Sequence, residues 1–388
     1  MPDETASDGT LRVRTVRDAT GLDALEPDWE RLAAADPAAG IFNGWPWNRA
    51  WWRHYGHLGT PHVLVVERLA RDGAVDRVVA IAPFYHARPR TLGVLRPPTL
   101  RFLGTGGDTA PDDLDMLAEP ALADAAAEAL ARHLFEAAGA RRLLLEHVPE
   151  GSALLGAVER RWRARRFGRP VRSVERRPVA TLPATVEGWR ASLSRNSRKH
   201  LGRRRRRAAS LGRVGYERVA DPAGLDGAFA ELVALHRARH ASRGETGSFA
   251  TEAYRRFHRE LMGALLARGE LVLVRLTLDG RTIGVEYAFR TGATLAFFQT
   301  GFDPAFETAS PGHLLMAHVI ETGIESGARA ADFLRGDYPY KASYADARRA
   351  NVTLDGPVRA LPFSPIGFAA RRQARRYRSG TSGDGSPT

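Results

Sequence analysis

The first half of the chain alternates apolar and polar residues in a way that predicts an α/β unit. Residues 11–16 predict a short strand, and residues 61–69 and 77–87 predict the two strands of a hairpin. A strand is expected over residues 99–107, an alanine-rich helix over residues 121–138, and a buried strand over residues 141–148.

The second half repeats this order. Residues 189–211 predict one helix and residues 212–219 a strand, and helices are expected over residues 223–243 and 254–268. Three strands then run from residue 270 to residue 302, joined at Asp279-Gly280 and at Thr291-Gly292, which are pairs typical of two-residue hairpins. A helix follows from Ser310 to Ser326, with Ser310 as its cap and proline at its first position. Late strands are expected at residues 328–336 and 353–361.

Length and repetition together predict two domains with an α/β, mixed-sheet fold. A chain of 388 residues is too long for one ordinary core. The arginine-crowded segment 159–177 contains Pro170 and lies between the two patterns, so we expect domains at residues 11–170 and 171–361. Residues 1–10 and the basic, Gly/Ser-rich tail 362–388 are expected to be disordered.

Composition narrows the possible chemistry. The chain has no cysteine, which excludes disulfides, thiolate metal sites and a cysteine nucleophile. No apolar run is long enough to span a bilayer, so the sequence predicts a soluble, cytoplasmic protein. The net charge of +13 favours an anionic ligand. Of the 57 basic residues all but Lys199 and Lys341 are arginine, which suggests that these two positions need a compact ammonium group.

The helix that begins at Ser310 is a candidate anion site. It follows a strand directly, so its free backbone N–H groups and the positive end of its dipole can meet a phosphate, and Gly312 allows a close approach. Plain helix capping is the alternative explanation of the same residues.

The segment SPGHLLMAHVIETGIESGARAADFLRGDYPYKASY carries a family resemblance. It resembles the CelD-like (cellulose biosynthesis) branch of the GNAT acyltransferase superfamily, which shares a Ser-Pro-Gly helix start and Asp-Phe-x-x-Gly-Asp before a Tyr-Lys pair. The basic helix RNSRKHLGRRRRR is similar to a helix of the same branch. More distantly, Asp332, Gly336 and Lys341 resemble the Fem-type aminoacyl transferases, so the resemblance implies two tandem GNAT-like domains.

The resemblance implies acetyl-CoA or another acyl-CoA as co-substrate and no metal. Only Gly312 matches the usual phosphate loop of the superfamily, so an aminoacyl-tRNA donor stays open. The implied donor site consists of the backbone at Ser310, Gly312, His313 and Leu314, with Phe298, Gln299 and Thr300 beside the pantetheine and thioester.

Acyl transfer needs a base and a group that stabilises the oxyanion. Asp332, Asp337 and Glu286 are candidate bases, and Asp337 is favoured because loops beyond strand ends line the clefts of α/β proteins. Lys341 and Arg335 are expected to hold a phosphate or the developing charge, and Tyr340 or Tyr338 to protonate the leaving thiolate. Glu286, Arg335 and Tyr338 are also assigned to the acceptor, an amine or hydroxyl on a small molecule or saccharide.

Four other features have two interpretations each. The basic run Arg195–Arg207 is either solvated or binds an anionic partner. RNA is the less favoured partner, because the run has no aromatic residues on which bases could stack. A non-catalytic protein that binds through this run is a third functional alternative. The tryptophan-rich segment 42–56 is interpreted as part of a core, with a ligand site as the alternative. The acidic loop 104–115 is interpreted as a solvated turn, with a position facing a cleft as the alternative. His236 and His240 lack a third ligand at a recognisable spacing, so no metal site is predicted.

Overall fold

A computed structural model describes residues 10–88, 98–165, 168–336 and 339–359. The terminal segments that we expected to be disordered lie almost entirely outside these ranges. Within them the strands are β1 Leu11–Val16, β2 Gly59–Pro61, β3 Val63–Leu69, β4 Val75–Ala82, β5 Phe84–Ala87, β6 Thr99–Phe102, β7 Leu117–Ala118, β8 Arg142–Pro149, β9 Val171–Thr181, β10 Val214–Arg218, β11 Leu271–Leu278, β12 Arg281–Thr291, β13 Thr294–Phe302, β14 Ala330–Asp332 and β15 Ala347–Pro357.

The α-helices in the same ranges are α1 Ala19–Asp23, α2 Glu26–Ala35, α3 Trp45–Tyr55, α4 Ala123–Glu136, α5 Ala153–Arg163, α6 Val186–Ser192, α7 Arg195–Ala209, α8 Pro222–Ala241, α9 Glu252–Ala267, α10 Pro311–Glu325 and α11 Pro339–Ala342. The predicted α/β fold with a mixed sheet is confirmed, because helices alternate with strands that pair both parallel and antiparallel.

One large sheet joins the two halves of the chain. Its order is β10-β11-β12-β13-β14-β9-β15-β8-β6-β5-β2, and a smaller sheet has the order β1-β3-β4-β7. The last strand, β15, pairs with β8 on one side and β9 on the other, so the end of the chain links both halves. The predicted division at residue 170 stays a prediction.

The hairpins of the second half have the expected register. Asp279 and Gly280 both have positive φ between β11 and β12, and Thr291 pairs with Thr294 across the next turn. In the first half, β3 and β4 form the predicted hairpin, but β5 leaves them for the large sheet after Pro83.

Two expected elements are wrong in extent. The single helix predicted over residues 189–211 is broken at Leu193 and Ser194, because Ser194 caps α7 by accepting a hydrogen bond from the Ser197 N–H at 3.0 Å. The strand expected over residues 328–336 pairs only at Ala330–Asp332. It stops there because Leu334 adopts a left-handed φ of 52°.

The C-terminal part of the sheet separates two cores. Helices α6, α7 and α10 pack on one face, and Phe297 of β13 belongs to that core. The other face packs on α8, α9 and the N-terminal half, where the Trp47 and Phe257 ring centroids lie 5.0 Å apart. The tryptophan-rich segment is therefore part of the core between the halves, since Trp45, Trp47 and Trp51 are buried.

Candidate functional site

Strands β13 and β14 part after a short parallel pairing, and this opens the sheet. Thr294–Ala296 pair with Ala330–Asp332, after which β14 ends while β13 continues to Phe302. A bulge between Tyr287 and Ala288 of β12 bends the same stretch of β13. The backbone of β13 from Phe297 onward therefore has an open edge where a ligand can lie.

A cavity of about 210 Å³ lies at the end of this edge, where α10 begins. We call it the helix-start cavity. Gly312 faces it, because a Cβ built on this glycine would lie 3.9 Å from both Thr300 Cγ2 and the Phe302 ring. The residues that line it are Arg239, Arg243, Thr300, Phe302, Glu307, Ser310, Pro311, Gly312 and His313.

The start of α10 is built differently from the expected serine cap. Ser310 occupies the N-cap position with φ 57° and makes no side-chain capping bond, so that prediction is wrong. Its carbonyl instead accepts the N–H groups of His313 and Leu314 at 3.1 and 3.2 Å. Within the described part of the chain the Gly312 N–H has no acceptor, so it is the donor that α10 offers to an anion in the cavity.

Cations surround the helix-start cavity on two sides. Arg239 of α8 donates to the Thr300 carbonyl at 3.1 Å and lies 4.7 Å over the Phe302 ring, and Arg243, two residues beyond the end of α8, reaches Glu307 at 3.5 Å. From α7, Arg204 and His200 lie close enough to oppose protonation of His313, whose pKa burial lowers to about 4. The sequence missed Arg239 and Arg243, because α8 gives only the ordinary pattern of a packed helix.

Glu286 is a buried carboxyl group behind this cavity. It accepts a hydrogen bond from Thr300 Oγ1 at 2.6 Å, and burial raises its pKa to about 8 against the opposing effect of Arg239 and Lys341. A carboxyl group with this pKa exchanges a proton near neutral pH, which suits a general base.

Lys341 and Tyr344 connect the helix start to the end of β14. Lys341 is buried, and its Nζ donates to the carbonyls of Arg335 and Leu334 at 2.7 and 3.3 Å. The Tyr344 hydroxyl lies 3.1 Å from His313 Nδ1. The structure thus brings together the predicted donor residues Thr300, Gly312 and His313 with Glu286 and Lys341.

Two predicted site residues, Asp332 and Arg335, are paired with charged side chains of the protein. Both Asp332 oxygens accept hydrogen bonds from Arg177 Nε, at 3.0 and 2.8 Å, in a buried ion pair that continues to Asp113. The Arg335 guanidinium donates to Asp112 at 3.1 Å and to the Pro111 carbonyl, and lies 2.8 Å from His147 Nε2. These contacts oppose a catalytic Asp332 and a substrate-binding Arg335, because both charges are already paired.

The acidic loop of the first half is not the solvated turn that its composition favours. Asp112 is buried against Arg335, and burial raises the pKa of Asp113 although Arg177 opposes that shift. Asp113, His147 and Leu334 are non-glycine residues with positive φ, and all three lie at this junction. Such strain persists only where surrounding contacts enforce it.

Phe298 and Gln299 face the core rather than the opening of the sheet. The Phe298 ring packs with His258, Phe289 and Tyr287 at centroid distances of 5.1, 5.1 and 5.4 Å. Gln299 Oε1 lies 3.0 Å from His236 Nε2. Leu314 is buried in the opposite core, so only the backbone of these three residues is placed to edge a ligand.

Three predicted site residues lie wholly or partly outside the residues that the structure describes. Asp337 and Tyr338 lie outside the described residues, and so does the side chain of Tyr340. Their predicted roles stay predictions.

A second cavity, of about 470 Å³, lies between the halves. We call it the interhalf cavity. It reaches the last paired residues of β13 and β14 from the side of the N-terminal half. Asp113 of the acidic loop 104–115 lines it, so the cleft that the sequence offered as the less favoured alternative for this loop is present. Its lining includes Gly40, Ile41, Phe42, Asp113, Glu150, Arg177, Ala296, Asp332, Leu334, Arg349 and Asn351.

Helix α7 presents a basic outer surface beside the helix-start cavity. Leu201, Ala208 and Arg205 face inward, and Arg205 donates to Glu321 at 2.6 Å. The exposed cations are Arg195, Arg198, Lys199, Arg203, Arg206 and Arg207.

Two further results concern metals and membranes. No group of three or more His, Cys, Asp or Glu side chains suited to a metal occurs in the described ranges. Across the same residues, no helix combines the length and apolar character required to cross a bilayer.

Known proteins provide the family context. Residues 195–342 match the family model described as "Acetyltransferase (GNAT) domain". A comparison with curated proteins found no match. Three similar solved structures show the fold alone at their low identity.

The structure of FemX has 11% identity and a TM-score of 0.57, with 85% of this chain and 95% of that chain covered. The C-terminal domain of a putative lysylphosphatidylglycerol synthetase from Agrobacterium fabrum has 12% identity and a TM-score of 0.51, with 92% and 96% covered. A protein of unknown function from Bacteroides thetaiotaomicron has 10% identity and a TM-score of 0.50, with 86% and 97% covered.

Proposed function

We propose that this protein is an acyltransferase that moves an acyl group, most simply acetyl, from acyl-CoA to an amine or hydroxyl of a small molecule or saccharide. The observation that carries the proposal is the helix-start cavity opening onto the free edge of β13. The GNAT domain match over residues 195–342 supports the reaction class. The CelD-like resemblance of residues 310–344 supports the same reaction class.

The donor phosphates would bind at the Gly312 amide. The α10 dipole and the guanidinium groups of Arg239, Arg243 and Arg204 favour negative charge there. The pantetheine arm would lie along β13 toward Ala296, and the four residue-to-residue steps from Ala296 to Thr300 span about 13 Å of strand. Its acyl group would then lie beside the end of β14, where Lys341 holds the Leu334 and Arg335 carbonyls.

Transfer proceeds by direct attack. The acceptor nitrogen or oxygen bonds to the acyl carbon, a proton passes to a base, and the thiolate leaves and is protonated. Asp337 follows the end of β14 in sequence and is the favoured base, whereas Asp332 is held by Arg177. Glu286 has a pKa raised to about 8 by burial, but it lies beside Thr300, at the phosphate end of the donor, and is the alternative base. Tyr340 or Tyr338 is the predicted proton donor to the thiolate.

Two substitutions at Gly312 test the donor site. A leucine there would project toward Thr300 and Phe302 and fill the cavity, whereas the Cβ of an alanine makes only ordinary contacts at 3.9 Å. Leucine and alanine both favour helix over glycine, so neither should unfold α10. We expect acetyl-CoA at a hundredfold its Kd to stabilise the wild type by about 2.7 kcal/mol, G312A to retain this response, and G312L to lose it in a thermal-shift assay.

An aminoacyl-tRNA donor is the second candidate, and the basic outer surface of α7 favours it. A parallel titration with aminoacyl-tRNA distinguishes the donors. If aminoacyl-tRNA stabilises the protein and acetyl-CoA does not, and if this stabilisation is lost when Arg203 and Arg207 are both replaced by glutamine, then aminoacyl-tRNA is the donor. A wild-type protein that responds to neither ligand would refute the transferase proposal.

A further inference from the structure

We propose that Asp112, in the first half of the chain, is a positioning residue for acyl transfer. It would act by holding residues 333–336, which directly follow β14 and which we call the β14 turn, in the conformation that transfer requires. This inference deepens the proposed function and rests on it. It gives the first half a part in the reaction, although every residue that lines the helix-start cavity comes from the second half.

The β14 turn begins where the sheet opens. Asp332 ends β14 and forms the last register pair with Ala296 of β13, and the acyl group of a donor laid along β13 would lie beside this pair. Gly336 directly precedes Asp337, the favoured base, in the sequence. The β14 turn therefore sets the point from which the chain continues to this base.

The backbone of the β14 turn has a conformation that its own residues do not favour. Leu334 has a left-handed φ of 52°, which is uncommon for a residue with a bulky side chain, and Gly336 has a φ of 97°. A strained backbone persists only where surrounding contacts enforce it. We therefore expect the β14 turn to relax when those contacts are removed.

Three buried, charged side chains bind the backbone of Leu334 and Arg335. Asp332 accepts a hydrogen bond from the Leu334 N–H at 2.8 Å, and Asp112 accepts one from the Arg335 N–H at 3.1 Å. Lys341 Nζ donates to both carbonyls, at 3.3 Å for Leu334 and 2.7 Å for Arg335. Hydrogen bonds of charged groups are strong in such buried surroundings, so these contacts can enforce the strained conformation.

Asp112 is the one of these three side chains that the first half supplies, and it binds Arg335 twice. Its other oxygen accepts from Arg335 Nε at 3.1 Å. The Arg335 guanidinium also donates to the Pro111 carbonyl and to His147 Nε2, the latter at 2.8 Å. Burial lowers the pKa of His147 to about 4, so its ring is neutral and can accept this bond. The partners of the Arg335 guanidinium within the described residues thus all belong to the first half.

Asp112 itself is not placed to touch the donor. Both of its oxygens bind Arg335, and it lines neither the helix-start cavity nor the interhalf cavity. It would therefore affect the reaction only through the β14 turn. Its removal should lower the rate of transfer without weakening the binding of the donor.

Asp112→Asn in the full chain tests the inference, with Glu67→Gln as the matched control. Glu67 is also a buried carboxylate of the first half with arginine partners, Arg12 and Arg14, but the small sheet that contains it lines neither cavity. Release of CoA from acetyl-CoA is measured as free thiol, with water and with glucosamine as acceptor probes. We expect Asp112→Asn to lower kcat by about 10- to 100-fold, the effect of a misplacement of about 1 Å, at an unchanged KM for acetyl-CoA. Glu67→Gln should change neither.

Amide hydrogen exchange over residues 333–336 measures the structural step directly. Exchange there should be about tenfold faster in Asp112→Asn than in the wild type, because a hydrogen bond to a charged acceptor is weakened. Glu67→Gln should leave this exchange unchanged. An exchange rate in Asp112→Asn equal to that of the wild type would overturn the inference whatever the activity.

Arg335→Gln is the second variant, and it removes the guanidinium from the same contact. Because both side chains act through one turn, the double variant should have a kcat no lower than that of Asp112→Asn alone. Losses that add in the double variant, or an equal loss of kcat in Glu67→Gln, would contradict the positioning role.

The same measurements separate this inference from the proposed function. If the wild type binds acetyl-CoA and releases CoA, and Asp112→Asn does so at the same rate, the positioning role alone is rejected. If the wild type neither binds acetyl-CoA nor releases CoA, the transferase proposal is rejected.

Discussion

The helix-start cavity and the interhalf cavity both border β13 but differ in their electrostatics. The first has the Gly312 amide and several arginines around one small opening. In the wall of the second, Arg177 binds both Asp113 and Asp332, so one cation faces two carboxylates, and Arg349 is exposed on the neighbouring strand. The comparison suggests that the first cavity suits a highly charged anionic group, whereas most charges of the second bind one another.

The two cavities also differ in how the chain builds them. Most of the helix-start cavity comes from one segment, residues 300–313, together with Arg239 of α8 and Arg243 just after that helix. The interhalf cavity takes residues from segments that begin near residue 37 and end near residue 351. Mutations in the first should therefore act on ligand binding, and mutations in the second on both binding and stability.

The largest expected effect is on turnover, at Asp337. If this carboxyl group takes the acceptor proton, Asp337→Asn should lower turnover by about 10² to 10⁴. Steady-state rates across pH measure the loss. Glu286→Gln is the control. Loss of activity in Glu286→Gln alone, with wild-type activity rising up to about pH 8, the pKa to which burial raises Glu286, would assign the base to Glu286.

The same substitution has an effect on stability with a defined sign. Glu286 stays protonated in the fold up to about pH 8 but ionises in the unfolded chain above its ordinary pKa. Its contribution to stability is therefore present at low pH and is lost as pH rises from that ordinary value to about 8. Glu286→Gln should be more stable than the wild type at pH 8, by on the order of a few kcal/mol, and similar to it near pH 4.

The next largest effect is on the free energy of unfolding, at Arg177. Replacing Arg177 with methionine leaves Asp332 and Asp113 buried without a cation, and breaking a buried pair in this way costs about 3–5 kcal/mol. Chemical denaturation measures the loss. Arg349→Gln is the matched control, and it should change stability by no more than about 0.5 kcal/mol because its guanidinium is exposed. Equal stability of R177M and wild type would remove the distinction between a buried, ion-paired arginine and an exposed one.

The smallest effect is expected at Asp112. Asp112→Asn weakens the hydrogen bonds to the Arg335 guanidinium and backbone N–H, each 3.1 Å long, and should lower the free energy of unfolding by about 1–3 kcal/mol. Acetyl-CoA affinity should not change, because the helix-start cavity does not include this junction. A large loss of acetyl-CoA affinity would mean that the contact between Asp112 and Arg335 is coupled to the helix-start cavity.

Local sequence signals predicted the elements around the helix-start cavity well. Asp279-Gly280 and Thr291-Gly292 specify tight hairpins by themselves, and Pro311 with Gly312 marks a helix start, because turn and capping preferences depend on a few adjacent residues. The serine cap failed because Ser310 entered the left-handed region and used its carbonyl instead.

Residues whose roles depend on distant partners were not predictable in the same way. Asp332 and Arg335 follow a motif that suggests catalysis, yet Arg177 and Asp112 occupy their charges. The acidic loop has the composition of a solvated turn, but Arg335 lies 223 residues away in the chain and buries Asp112. No spacing rule connects such pairs.

The sequence alone determined most strands and helices of the second half, the tight turns, the basic run of α7 and the place of a candidate anion site at Gly312. Each of these depends on backbone preferences or on neighbours within one or two turns of chain. Only the tertiary structure decided which charges are neutralised, that Glu286 is buried with a raised pKa, and that a cavity lies between the halves. Electrostatic energy and burial depend on distances in space, and the pairing of β15 with both halves sets those distances.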